Sequence, residues 1–179
     1  MRENLFKAKR IDNGEWVEGC LVTRKDSGTD EIFEAHIIED AYEQLGVMNF
    51  GMQPVLISPL SNAYTNGCFR VDKDTICQYT GLFDKNGKKI WENDILIQKT
   101  TEAHWFKWEC MGVVKYGEHD WNVSEYGYKS IGFYIEPIVR KGDTNKIAHG
   151  LNQVDINDEY YPIEVIGNIF DHQDLLKGE

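Results

Sequence analysis

Apolar and polar residues alternate with a period of two over most of this chain, which is the spacing of half-buried strands rather than of helices. Leu5 to Ile11 and Trp16 to Thr23 are two such runs around Asp12-Asn13-Gly14, a hairpin signal. In the second run Val17, Gly19 and Leu21 share one face, with Trp16, Cys20 and Val22 on the other. Arg24 to Asp30 reads as a loop. Glu31 to Ile38 sets Phe33, Ala35 and Ile37 against Ile32, Glu34, His36 and Ile38 and predicts a strand. Ile38 to Leu45 fits a short helix ended by Gly46, and Pro54 to Ser58 a strand with proline at its first residue, where a missing donor does least harm. Ser61 to Gly67 is loop-like. Further on, Trp105 to Tyr116 predicts a long or bent strand and Gly117 to Ser124 a turn. Ser130 to Val139 predicts another strand, Lys141 to Asn157 an irregular stretch, and Tyr161 to Phe170 a last strand entered at Pro162. Asp171 to Lys177 predicts one helical turn with Asp171 as N-cap, Leu175 and Leu176 packing back.

Turns recur about every ten residues between these runs, so the fold class is mainly β. The expected architecture is a small SH3-like barrel in the C-terminal part with a smaller N-terminal β-sheet region. The soft break falls near Ser61 to Gly67: residues 1–66 form the N-terminal β region, and 67–179 the barrel with a short terminal helix.

The local signals agree best between Gln78 and Ile97. Tyr79 to Phe83 and Lys88 to Trp91 flank Asn86-Gly87, which fits a type I′ turn because that turn needs positive φ at both central residues. Asn93-Asp94 turns the chain again, Asn tolerating the left-handed region, and Ile95-Leu96-Ile97 starts a buried strand. With Gln78-Tyr79-Thr80-Gly81-Leu82, Asp84-Lys85-Asn86-Gly87-Lys88 and Ile90-Trp91-Glu92-Asn93-Asp94-Ile95, this stretch resembles the YopX family of phages and prophages. Val165-Ile166-Gly167-Asn168-Ile169-Phe170 and Asp174-Leu175-Leu176 add to the resemblance, as do Met1-Arg2-Glu3 and Phe6-Lys7-Ala8. The family usually has Gly where this chain has Asn93, and Pro-Glu where it has Gln173-Asp174. The resemblance implies a mostly β, phage-encoded protein and brings no biochemical activity with it.

Composition narrows the function classes. The 179 residues, 41% hydrophobic and 12% aromatic, suit one large globular domain or two small ones. No apolar run approaches the length of a membrane span, and the start lacks the pattern of a signal peptide, so a cytoplasmic protein is expected, with no membrane partner; that the cytoplasm is a bacterial host's is what the resemblance implies. The formal net charge of −11 argues against direct nucleic-acid binding, which needs a basic surface; Lys7, Lys9 and Arg10, and Lys85, Lys88 and Lys89, are only short basic clusters. The four cysteines Cys20, Cys68, Cys77 and Cys110 are scattered without metal-ligand spacing and read as reduced packing residues.

Candidate chemistry is sparse. No Gly-x-Ser-x-Gly elbow, phosphate-binding loop or dinucleotide fingerprint occurs. His36 with Glu34 and Glu39, and Glu118-His119-Asp120, are the best material for a metal or acid–base site. A metal centre needs ligands converging from separate elements; the first group shares one strand face, and the second falls in the expected turn, where successive side chains diverge. No catalytic, metal or cofactor-binding residue is assigned, and no cofactor is expected. The expectation is a non-enzymatic phage accessory protein acting through protein contacts. The alternatives are a metal-dependent hydrolase built on His36 or His119 with carboxylates, and an acidic DNA mimic. The mimic draws on two tracts without Lys or Arg: Asp26, Asp30, Glu31, Glu34, Glu39, Asp40 and Glu43 in the first, and Asp155, Asp158, Glu159, Glu164, Asp171 and Asp174 in the second. Trp105, Trp108, Trp121, Tyr126, Tyr128 and Tyr134 crowd into thirty residues, more than one small barrel buries, which predicts a homo-oligomer with its contact near Trp105 to Tyr134.

Overall fold

In a computed structural model of the chain, the described residues are 5–26, 28–29, 32–39, 68–102, 105, 109–121, 128–138, 149–151, 160 and 162–177. They divide between two compact units, Glu3–Gln78 and Tyr79–Glu179. The expected break at Ser61 to Gly67 lies outside the described residues, as do most of the expected helix over Ile38 to Leu45 and the strand Pro54 to Ser58.

The first unit is an antiparallel sheet. Its strands are β1 (Phe6–Lys9), β2 (Trp16–Lys25), β3 (Ile32–Ile38), β4 (Cys68–Val71) and the start of β5 (Cys77–Phe83), in the order β4-β3-β2-β1-β5. The Asp12-Asn13-Gly14 signal is the β1–β2 hairpin, closed where Arg10 N–H donates to Glu15 O and Gly14 N–H to Arg10 O. The sheet curls until the end of β1 meets β4: Arg10 bridges Val71, Ile11 N–H donates to Arg70 O, and Asp72 N–H donates to Lys9 O. Alternate residues Val17, Ala35, Ile37, Ala8 and Val71 fill the concave side, with Phe6, Leu21, Ile32, Phe69 and Ile76 packed against them. The predicted face of β2 is the observed one, and in β3 Ala35 and Ile37 are buried as predicted; Ile32, expected on the opposite face, packs against the same core, the ladder shifting register between Arg24 and Lys25.

In the second unit the rest of β5 pairs with β6 (Lys89–Trp91). A five-stranded antiparallel sheet follows, in the order β10-β9-β8-β7-β11. Its strands are β7 (Asp94–Lys99), β8 (Glu109–Trp121), β9 (Tyr128–Pro137), β10 (His149–Gly150) and β11 (Ile163–Asn168). Both faces of this sheet carry core. Leu96, Val114, Phe133, Ile135, Ile163 and Val165 gather with Ile90, Leu151 and Leu82 on one side. Ile95, Met111 and Val113 on the other side are covered by Ile138, Ile166, Ile169, Leu175 and Leu176.

Several expectations need correction. The SH3-like barrel does not form. Closure requires the first and last strands to pair, and among the described residues β10 and β11 remain the two edges of an open sheet. The long strand expected at Trp105 starts at Glu109 and runs through the expected turn at Gly117 to Trp121. Gly117 there faces Gly132 across a regular ladder, so both glycines sit within strands. The Asn86-Gly87 turn is not type I′: among the described residues Asn93 is the only non-glycine at positive φ, and Gly87 alone takes φ 78° at the hairpin tip. Gly87 N–H donates to Asp84 O and Asp84 N–H to Lys88 O, the pattern of a type I turn followed by a glycine bulge. The terminal helical turn is 3-10, over Gln173–Leu176, and His172 rather than Asp171 occupies its N-cap position, with no side-chain capping bond. Strands β4 and β10 were not expected from the sequence. All four cysteines are free.

Candidate functional site

Three polar residues between Thr80 and Asp94 are buried, Thr80, Asp84 and Asp94, and the backbone explains them. Thr80 hydroxyl donates to Ile90 O across the β5–β6 hairpin (2.8 Å) and accepts Leu82 N–H (3.2 Å). Asp84, 6% exposed, holds the hairpin tip: its Oδ1 accepts Asn86 N–H (2.8 Å) and Lys88 N–H (2.9 Å). Its Oδ2 accepts Val165 N–H on β11 (3.1 Å). Lys85 N–H donates to Ile163 O, and Lys85 Nζ pairs with Glu164 at 2.6 Å. The tip and its carboxylate thus cover part of the open edge of β11, where unpaired N–H groups would otherwise invite another strand. Burial pushes the Asp84 carboxyl up, but the N–H groups of Val165, Lys88 and Asn86, helped by the Lys88 charge, outweigh it and hold the carboxyl below its ordinary value.

The corner after β6 is built the same way. Asp94, 2% exposed, accepts Trp91 N–H at 2.9 Å. Asn93 takes φ 66°, donates its N–H to Val114 O, accepts Ile169 N–H at its carbonyl, and accepts Lys115 Nζ at Oδ1. Residues far apart in the chain are neighbours here, because β7 pairs with β11 through Leu96 with Val165, Ile95 with Gly167 and Asp94 with Asn168. Asn168 Oδ1 accepts Phe170 N–H and Asp171 N–H, and its Nδ2 donates to Asp171. A Cβ on Gly167 would lie 2.8 Å from the His172 ring, so only glycine lets that ring close over the strand.

The two histidine candidates lie one in each unit. His36 Nε2 is 4.0 Å from Glu34. Glu34 is also bridged by Arg24 from β2 (3.3 Å) and Arg70 from β4 (3.8 Å), so its charge is held by two guanidinium groups on neighbouring strands. Glu39 joins neither His36 nor Glu34 in any ion pair seen, and its field reaches Arg10. Glu118 and His119 point to opposite faces through strand alternation, since Glu118, His119 and Asp120 lie in β8 and not in a turn. Glu118 is exposed and pairs with Lys129 across the hairpin. His119 is 8% exposed, stacks on Tyr134 with ring centroids 5.0 Å apart, and sets Nδ1 3.4 Å from Gly117 O. Its Nε2 is buried without a hydrogen-bond partner among the described residues. Among those residues no three His, Cys, Asp or Glu side chains gather where a metal ion could sit, and no helix is long and apolar enough to cross a membrane.

The exposed apolar residues lie partly where the aromatic crowding predicts. Trp105 is 89% exposed, Tyr116 53% and Ile131 75%. Tyr134 is half-buried beneath His119. Trp121 and Tyr128 form the last pair of the β8–β9 ladder; their side chains, like Trp108 and Tyr126 as a whole, lie outside the described residues.

A family model described as YopX protein matches residues 55–177, more than half of the chain. The chain belongs to the YopX family. The solved structures include a likeness to the crystal structure of protein EF1440 from Enterococcus faecalis, with 18% identity, 99% of this chain and 100% of that chain covered, and a TM-score of 0.43. No curated protein matches.

In this YopX-family chain the blocks that carry the family resemblance therefore hold a scaffold together. Thr80, Asp84, Asn93, Asp94 and Asn168 are committed to backbone groups or to a neighbouring side chain. Sequence reasoning gave Asp84 no part beyond the family resemblance. Its position two residues before Asn86 and three before Gly87 is the signal of an Asx-type turn. The bare Ile131 carried a signal too: a strand that outruns its core leaves alternate apolar residues uncovered.

Proposed function

We propose that this protein is a phage- or prophage-encoded accessory protein that performs no chemistry of its own and acts through contacts with protein in the cytoplasm of a bacterial host. One observation carries this reading. The buried polar residues of the family motif, which would be the natural material of an active site, have their lone pairs and protons taken up by backbone groups, Asp84 above all. A general base or metal ligand needs a free lone pair facing substrate or metal, and Asp84 turns both oxygens inward. The carboxylate beside His36 is likewise engaged by Arg24 and Arg70. Exposed apolar side chains remain at the surface, Tyr116 and Ile131 on β8 and β9 and Ile11, Phe83, Trp105 and Tyr160 elsewhere, the kind of feature by which small proteins meet partners.

Two measurements test the reading together. Tagged protein expressed in induced host cells is expected to retain a protein partner that an Ile131→Asp, Tyr116→Ser variant loses. The same preparation is expected to contain no stoichiometric transition metal. About one zinc or manganese per chain, lost on replacing His36 or His119, would reverse the conclusion in favour of metal-assisted hydrolysis.

A further inference from the structure

We propose that the outward face of the β8–β9 hairpin is a two-fold contact between two copies of this chain. The inference rests on the protein-contact reading above and names the partner. On one face of the ladder, β8 presents residues 114, 116 and 118 opposite 135, 133 and 131 of β9. The row begins in the core: Val114 and Ile135 are buried, and Phe133 is buried with Tyr116 packed edge-on against it at 5.0 Å. It ends bare, since Tyr116, Glu118, Ile131 and, one step further along β9, Lys129 are all exposed. The hairpin thus carries the apolar row of the core out past the point where the core covers it.

The charges on this face indicate a second copy. A chain of net charge −11 repels its own kind over most of its surface. Here acidic and basic groups meet on one face: Glu118 and Lys129 flank Ile131 and pair with each other, and Asp120 stands opposite Lys129 in the ladder. An isologous contact requires one patch to carry both halves of every complementary pair. Rotation about an axis near Ile131 sets Glu118 of one protomer against Lys129 of its partner, and the reverse, while the two isoleucines meet between them.

The full chain tests this. Light scattering from low to high micromolar concentration is expected to give twice the 20.7 kDa chain mass. Ile131→Asp, at a site exposed enough to leave folding intact, is expected to weaken association about 10-fold or more, with Ile131→Ser as a milder second variant. Glu118→Lys and Lys129→Glu each place like charges across the axis and are expected to be monomeric. Mixed in equal amounts they restore both cross-axis pairs and are expected to dimerise. Circular dichroism melts confirm that each variant is folded. A wild-type mass of one chain throughout overturns the proposal. So does retention of the dimer in both charge variants, or a mixture of folded monomeric variants that stays monomeric. A monomeric wild type that still retains a host protein, free of metal, would end the two-copy contact and leave the protein-contact reading standing.

Discussion

Asp84 is where one side chain decides most. A carboxylate with three backbone N–H bonds is more stable ionised than in water, and its depressed value links it to pH. For a group whose folded value lies below its unfolded one, the stabilisation is complete above the unfolded value, about 4. It disappears as pH falls through the folded value. Asp84→Asn keeps the shape but offers an NH2 where an acceptor is needed, leaving at least one buried donor unmet. It is expected to cost about 1–3 kcal/mol at neutral pH. Urea titrations at several pH values check the sign: the gap between wild type and Asp84→Asn should narrow as pH drops below about 4. A gap unchanged down to pH about 3 would mean that the carboxylate charge contributes nothing.

Elements depend on the turns that join them. The β5–β6 tip uses a type I turn plus a glycine bulge, so the positive φ falls on Gly87 and not on Asn86. A Cβ at position 87 would meet no atom within 4 Å, which isolates the backbone term from any clash. Gly87→Val is expected to lose about 1–2 kcal/mol or more, because a β-branched residue resists that φ. Asn86→Ala is expected to change stability by only a few tenths of a kcal/mol, within the range of ordinary surface substitutions. Thermal melts of the two variants separate this turn from type I′, in which both substitutions would be costly. The same tip rests on β11 through Asp84 and Lys85, so its loss would also bare the sheet edge.

At the scale of the whole molecule, the charge of −11 combines with a pairing of basic groups that the sequence does not reveal. Arg24 and Arg70 flank Glu34, Lys85 meets Glu164, Lys129 meets Glu118, and Arg10 is bonded to Asp12. Lys7 and Lys9 lie over the Trp16 ring, and Lys89 over Tyr79 and Trp91. Both short basic clusters are thereby tied to aromatic or acidic neighbours, though exposed pairs of this kind add little to stability. The acidic tracts are partly neutralised by the same pairs. Gel-shift titration of duplex DNA at low salt is therefore expected to show no complex up to micromolar protein. A shift that weakens steeply with added salt would show that a basic patch operates despite the overall charge.

The sequence by itself determined the strand periodicity, the buried face of β2 and of Ala35 and Ile37 in β3, the hairpins at Gly14 and Gly87, the left-handed corner at Asn93 and the family. These are local properties: a period of two and a residue's tolerance of positive φ need no distant partner. The tertiary structure decided what depends on contacts across the chain. Among the described residues it left the second sheet open, carried β8 through Gly117, made Asp84 the clasp on β11, and surrounded Glu34 with arginines from two other strands. Closure and polar satisfaction depend on which strands become neighbours, and that pairing is written over separations such as the 81 residues between Asp84 and Val165.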